Sequence, residues 1–341
     1  LIRFSPLFID QRLDSLASPD SAEEERVTAT DSVDVLVHRA LLYDDEDEFL
    51  DVTIPFLREG VSDGGRPVVI SERARLVRRR LGRTADRVEF IDASGWFGTP
   101  ARTLTAYLAH AREHWWPRGR LYLVAEPVWR ARTRLEIREW GRLESLLNVA
   151  FAGTRTTMLC AYDVRSLPAE AAEDVSRTHP ELVGATGRRQ STLFTDPAVF
   201  YAERNRVPLA PPAEPVMTCD FSGHDLARLR AFVAAAAEHH GLARERRLAL
   251  IQSVGEVAAH IVRSGGGPGS VWVWSADGML ICDVVDDAAS LDDRFLGYFP
   301  PTPYRPAGAG MWAVRQLCDL VEIRSGAHGS VVRLHMGREA R

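Results

Sequence analysis

No apolar run in this chain approaches the roughly 18 residues that a membrane-crossing helix needs, so a helical membrane protein is not expected. Leu1–Asp20 lacks the charged-then-apolar pattern of a signal peptide, and the expected location is cytoplasmic. Basic clustering is also missing: the arginines are scattered and the net charge is −5, which argues against direct binding to nucleic acid. Cysteine is scarce. Cys160, Cys219, Cys282 and Cys318 stand far apart, three of them within apolar patterns, which suits reduced core thiols better than a disulfide or zinc framework. There is no internal repeat. No glycine-rich loop ending in Lys-Ser or Lys-Thr follows the first strand, so a P-loop nucleotide hydrolase is not indicated.

What is present is an ordinary globular composition, 45% hydrophobic and 26% charged, in 341 residues, a length that favours two cores over one. Residues 1–32 are polar and acidic around Ser18–Glu25 and read as a mobile leader. From Val33 to about Ala172, short apolar runs alternate with helical patterns. The strands are Arg39–Tyr43, Pro67–Ser71, Val88–Asp92, Leu121–Glu126 and Thr156–Tyr162; the helices lie near Asp47–Gly60, Arg73–Leu81, Ala101–Trp115 and Leu135–Phe151. Such alternation predicts an α/β domain over 33–203, with a parallel sheet flanked by helices on both faces.

Residues 204–215 hold Pro208, Pro211, Pro212 and Pro215 and read as a linker. Over 216–337 the pattern changes to helix, helix, hairpin, long loop, helix, hairpin. Ser222 and Asp225 resemble a cap before Leu226–His240, Gly241 closes that helix, and a second helix stops at Gly265-Gly266-Gly267. Hairpin turns fall at Ala276-Asp277-Gly278 and Gly326–Gly329. The expectation is a two-layer α+β sandwich, with helices on one face of a mixed sheet.

Three segments of this second region carry residues that would suit a nucleotide pocket. The helix Leu248–Arg263 presents Glu256 and, one turn later on the same face, His260, where a carboxamide would suit Mg²⁺ better than imidazole does. At the end of the strand Ile281–Asp287, either Asp286 or Asp287 can accept from an adenine amino group, although Ala288, Ala289 and Ser290 stand where glycines would give room. Gly308-Ala309-Gly310 opens a helix whose free amides can hold phosphate oxygens. In this order the segments resemble the histidine-kinase-like ATPase superfamily, the Bergerat fold. Gly310–Asp319 together with Gly329–Leu334 look like its anti-sigma regulatory kinases.

The resemblance implies ATP with Mg²⁺ between the two helices and a lid, and serine phosphorylation of an anti-anti-sigma partner. It gives Glu256 the role of base or water-orienting carboxylate and puts His260 in the metal-binding position. Asp286 would read adenine, with Ser330 supporting it, and Gly308 and Gly310 would bind phosphates. A sigma factor, an antagonist and a homodimeric state are the implied partners. Autophosphorylation on histidine is disfavoured, because His239-His240 ends its helix beside Gly241 with no long paired helix before it.

In the first region, polar and aromatic residues gather at the strand ends: Tyr43-Asp44, Ser71-Glu72, Asp92, Glu126 to Trp129, and Tyr162-Asp163. Open α/β sheets bind ligands at that edge. The segments His38–Tyr43, Phe49 to Gly60, Glu126–Trp129, Glu144 to Asn148 and Cys160–Asp163 resemble the MEDS sensory domain, which implies a RecA-like core that senses a small molecule. His38, Tyr43, Glu126, Trp129 and Asp163 are the ligand-sensing candidates. Two rivals stand beside a sensor-controlled kinase. One is a docking protein without ATP turnover, favoured by His260 and Ala288–Ser290; the other is a small-molecule enzyme working through Glu126 or Asp163.

Overall fold

All eight residues of Thr156–Asp163 are buried, as a strand covered on both faces should be. In the computed structural model this segment is the fifth strand of the first of two sheets. The structure describes residues 35–130, 132–184, 187–222, 225–264, 268–287, 291, 293, 295–301, 308–326 and 329–338. The expected leader 1–32, the Gly265–Gly267 stop and Ala288–Ser290 lie outside the described residues.

The first sheet contains β1 (Val37–Tyr43), β2 (Arg66–Ile70), β3 (Glu89–Ile91), β4 (Leu121–Ala125), β5 (Thr156–Asp163), β6 (Glu181–Gly184) and β7 (Gly187–Gln190), in the order β3-β2-β4-β5-β1-β6-β7. Its pairings are parallel except for the β6–β7 hairpin. Period-two alternation gives each strand two apolar faces. Leu41, Val69, Val124, Leu159 and Ala161 face α1 (Glu46–Ser62) and α2 (Ala74–Leu81). Ala40, Val68, Leu123, Met158 and Cys160 face the other way. There the chain supplies α3 (Ala93–Trp96), α4 (Pro100–His110), α5 (Arg134–Ala150), α6 (Ala169–Thr178) and α7 (Pro197–Arg206).

Local chemistry sets the ends of these helices. Asp45 accepts from the amide of Glu48 at 2.8 Å to start α1. Thr133 and Glu136 form a reciprocal capping box at α5, satisfying two otherwise orphaned amides. The helix expected over Ala101–Trp115 is regular only to His110 and continues through Ala111–Trp115 as a wider turn. The pattern reading missed α6, the β6–β7 hairpin, α7 and a strand before the second domain's helices.

That strand is β8 (Met217–Phe221). It joins β9 (Gly269–Ala276), β10 (Met279–Asp286), β11 (Leu320–Gly326) and β12 (Gly329–Gly337) in the order β11-β12-β10-β9-β8. Every pairing is antiparallel, so the mixed sheet expected here is corrected. The cause is connectivity. β9–β10 and β11–β12 are tight hairpins, the first turning at Asp277 and Gly278 with φ of 51° and 75°, and β8 adds antiparallel at the edge.

One face is covered by α8 (Leu226–His239), α9 (Arg244–Arg263) and α10 (Ala309–Leu317). Leu229, Val233, Leu250, Val254, Ala258 and Ile261 pack there on Val271, Cys282, Val284 and Val332. The cap expected from Ser222 is different in kind, because its hydroxyl bonds the Asp225 carboxylate at 3.0 Å rather than a helix amide. Among the described residues no helix is long and apolar enough to cross a membrane.

Candidate functional site

Helix α9 buries Val254, Val257, Ala258 and Ile261 against the sheet and leaves Glu256 and His260 half-buried on its flank. Gly308, with φ of 88°, turns the chain into α10 without a side-chain cap. Gly310 in the first turn then meets Glu256 so closely that an added Cβ would lie 2.3 Å from Oε2. The structure thus brings Glu256 together with the amide-rich start of α10, where the helix dipole favours negative charge. Burial first, then the charge of Arg263, holds the His260 imidazole below its ordinary value, against a weaker pull from Asp293.

Asp286 ends β10 and follows Leu280, Cys282 and Val284 on the helix-covered face, so its side chain is buried, whereas Asp287 is exposed. Antiparallel register sets Asp286 opposite Ser330 of β12. The Ser330 hydroxyl is buried with no hydrogen-bond partner among the described residues. A buried hydroxyl left in this way costs free energy, and an adenine or its attendant water would satisfy it. The residues therefore fit the adenine half of a nucleotide. On the phosphate side Glu256 is followed by the His260 imidazole, a softer donor than the hard oxygen ligands Mg²⁺ prefers.

The five ligand-sensing candidates of the first domain fall into two groups on opposite faces of the sheet. Tyr43, Glu126 and Asp163 meet at the carboxyl ends of β1, β4 and β5, on the face of α1 and α2. Glu126 is buried and accepts from the Tyr43 and Ser71 hydroxyls and from Arg73. Arg73 also reaches Asp163 at 2.8 Å, and Arg165 bonds the same carboxylate at 2.8 and 2.7 Å. The Arg165 hydrogen bond, helped by the charges of Arg165 and Arg73 and opposed by burial, lowers the Asp163 pKa. Burial first, then the Glu126 charge, pushes the Tyr43 phenol far up. Arg73 and Arg165 were missed as site residues, since isolated arginines in loops carry no pattern.

His38 lies an odd number of residues before Tyr43, so it points to the other face. There it is buried between Asn148, at 3.1 Å from Nδ1, and Cys160, at 3.4 Å from Nε2. Burial lowers its pKa to about 4 and raises that of nearby Glu144 to about 7. Trp129 packs on Trp140 and Tyr162 on this same face, with ring centroids 6.0 and 6.2 Å apart.

A third group lies where the two domains meet. Tyr298, from the segment between β10 and α10, is 3% exposed and sits in the core of the first domain rather than the second. Its hydroxyl donates to Glu139 of α5 at 2.9 Å; Glu139 pairs with Arg142 at 2.8 Å, and the Arg315 guanidinium of α10 lies 3.7 Å over the Tyr298 ring. Helix α10 also touches α4: Trp312 donates to Thr105 at 3.2 Å, and Arg102 donates to the Gln316 carbonyl at 2.9 Å. None of these contacts was foreseen from the sequence.

An open α/β sheet with helices on both faces is thus joined through α4, α5 and α10 to a helix-on-sheet domain. Residues 37–180 match the family model MEDS, the MEthanogen/methylotroph, DcmR Sensory domain, and residues 222–336 match that of the histidine kinase-like ATPase domain. The chain is a MEDS sensory domain fused to a histidine kinase-like ATPase domain, a signalling regulator, and its second domain is of a kind that generally binds ATP and Mg²⁺. A search of curated proteins finds no match. Among solved structures, it is similar to the crystal structure of the RsbU and RsbW domains of Rv1364c from Mycobacterium tuberculosis, at 18% identity and a TM-score of 0.28. That likeness covers 39% of this chain and 35% of the other, so this chain spans about a third of that structure's length.

Proposed function

We propose that a small molecule bound by the MEDS domain sets the position of α10, and so controls an anti-sigma-type domain that holds a sigma factor and yields it to an anti-anti-sigma antagonist. The observation that carries this reading is the Tyr298 clamp. The segment leading into the helix beside Glu256 is anchored by its ring and hydroxyl in the sensory domain, 2.9 Å from Glu139. A ligand that favours one placement of α5 over another therefore biases the nucleotide face, which is what coupling between two sites requires. The anti-sigma assignment rests on the likeness of Gly310–Asp319 and Gly329–Leu334 to that group.

Asp286 and Ser330 would read adenine, the amides of the first turn of α10 would receive phosphate, and Glu256 would orient the attacking hydroxyl. A second reading, docking without ATP turnover, is favoured by His260 in place of a carboxamide. Titrating the full chain with labelled ATP, with and without Mg²⁺, separates the two. Saturable micromolar binding supports the kinase, and no binding at millimolar nucleotide supports the docking protein. If binding is seen but is indifferent to Mg²⁺, His260→Asn should confer Mg²⁺ dependence.

A further inference from the structure

On the face of the first sheet opposite the Glu126 network, four buried side chains turn their donor atoms toward one point. His38 on β1, Cys160 on β5, Glu144 on α5 and His179 just after α6 each offer one atom, and all four atoms lie within 4.8 Å of one another. His38 Nε2 is 3.4 Å from Cys160 Sγ, and His179 Nε2 is 3.6 Å from Glu144 Oε2. The same Oε2 is 3.7 Å from Cys160 Sγ and 3.8 Å from His38 Nε2. Donors bound at about 2.0–2.3 Å to a tetrahedral ion stand about 3.3–3.8 Å from one another. Four of the six donor pairs have the spacing of a coordination shell, the other two lie within 4.8 Å, and the nitrogen–oxygen pairs are long for hydrogen bonds.

The outer atoms fix which way the inner ones point. His179 Nδ1 faces the Val175 carbonyl at 2.9 Å, and a carbonyl only accepts, so Nδ1 carries the proton and Nε2 turns a lone pair inward. The Asn148 amide donates to the Thr178 carbonyl at 2.8 Å, which leaves Oδ1 to accept from His38 Nδ1 at 3.1 Å. His38 Nε2 therefore also presents a lone pair. The other oxygen of Glu144 accepts from Trp140 Nε1 at 3.0 Å. Two imidazole lone pairs, a carboxylate oxygen and a sulfur thus converge, with the Tyr162 hydroxyl, 3.4 Å from His179 Nε2, the neighbouring donor. Outer hydrogen bonds to a carbonyl, an amide and an indole are the usual supports of metal-binding histidine and carboxylate.

We propose that His38, Cys160, Glu144 and His179 bind a single divalent transition-metal ion, with Zn²⁺ the best match to two imidazoles, one thiolate and one carboxylate in tetrahedral array. With four protein ligands and full burial the site is closed, and the ion ties β1 and β5 to α5 and to the end of α6. The four ligands are scattered from 38 to 179, so cysteine spacing gave no hint of it.

The test strips the purified full-length chain with a chelator under reducing conditions and titrates it with Co²⁺. About one Co²⁺ per chain should bind, with the intense visible bands of tetrahedral cobalt and a near-ultraviolet thiolate charge-transfer band, and Zn²⁺ should displace it. Cys160→Ser, near-isosteric, should abolish the charge-transfer band. Asn148→Ala, which frees His38 Nδ1, should weaken binding about 10–100-fold. Circular dichroism of each stripped protein confirms folding, and the wild-type titration decides the matter if a variant fails to fold. Folded wild-type protein that gives no tetrahedral cobalt spectrum overturns the proposal, as does a charge-transfer band that survives in folded Cys160→Ser.

Discussion

Replacing Tyr298 by Phe isolates the contact between the sensory domain and the segment that leads into α10. Phenylalanine keeps the buried ring and its place under the Arg315 guanidinium, 3.7 Å away, so apolar burial and the cation–ring attraction are retained. Only the hydroxyl is lost, together with its 2.9 Å bond to Glu139. Glu139 keeps Arg142 at 2.8 Å, so the carboxylate is not stranded. A hydrogen bond to a charged acceptor contributes about 1.5–3 kcal/mol. Because this bond joins the two domains, the loss falls on their docking, and the fraction of molecules with the segment released should rise about 10- to 100-fold. Hydrogen–deuterium exchange should show that increase across α10, while the amides of β5 exchange as before. A double-mutant cycle with Glu139→Gln should return a coupling of about 1 kcal/mol or more. Unchanged exchange across α10 in a variant whose overall stability has dropped would refute the reasoning, since the hydroxyl would then support only its own domain.

Three further outcomes follow from the same geometry. Gly310→Ala gains about 0.5–1 kcal/mol of helix preference but puts a methyl 2.3 Å from Glu256 Oε2, forcing that carboxylate aside. Melting temperature should therefore move little while nucleotide binding changes markedly, and calorimetry on one sample reads both. Glu126→Gln removes the charge shared by the buried Tyr43 and Ser71 hydroxyls and the half-buried Arg73, which keeps Asp163 at 2.8 Å, costing about 1.5–3 kcal/mol in denaturant unfolding; a loss below about 1 kcal/mol would show that the network is solvated. Asp163, with its folded pKa below the ordinary 3.8, contributes stability that is present above that value and lost as pH falls through the folded one. Asp163→Asn should accordingly flatten the acid limb of a melting-temperature profile below pH 3.8, and an unaltered limb would contradict the pairing with Arg73 and Arg165.

Much of the architecture was legible because it rests on local signals. Near-continuous apolar runs marked β4 and β5, Asp277-Gly278 marked a hairpin, and the order Glu256, Asp286, Gly310 marked three segments, two of which touch in the fold. The antiparallel character of the second sheet was missed because β8 is short and half-exposed, with little apolar signal to count. His38 and Tyr43 are five residues apart along β1, an odd step that puts their side chains on opposite faces of the sheet. The pairing of Tyr298 with Glu139, and of His38 with His179, joins positions more than a hundred residues apart in sequence. No periodicity encodes such meetings, because they depend on how finished elements dock.

Helix α5 presents Glu144 to the buried histidines and, five residues earlier, Glu139 to Tyr298. That offset is about 7.5 Å of rise along one hydrogen-bonded rod, held at its start by the Thr133 and Glu136 box. A helix resists stretching far more than it resists sliding. Were α5 to shift at its inner carboxylate, its outer one would move with it by the same displacement, so the buried histidines and Tyr298 share one rigid support.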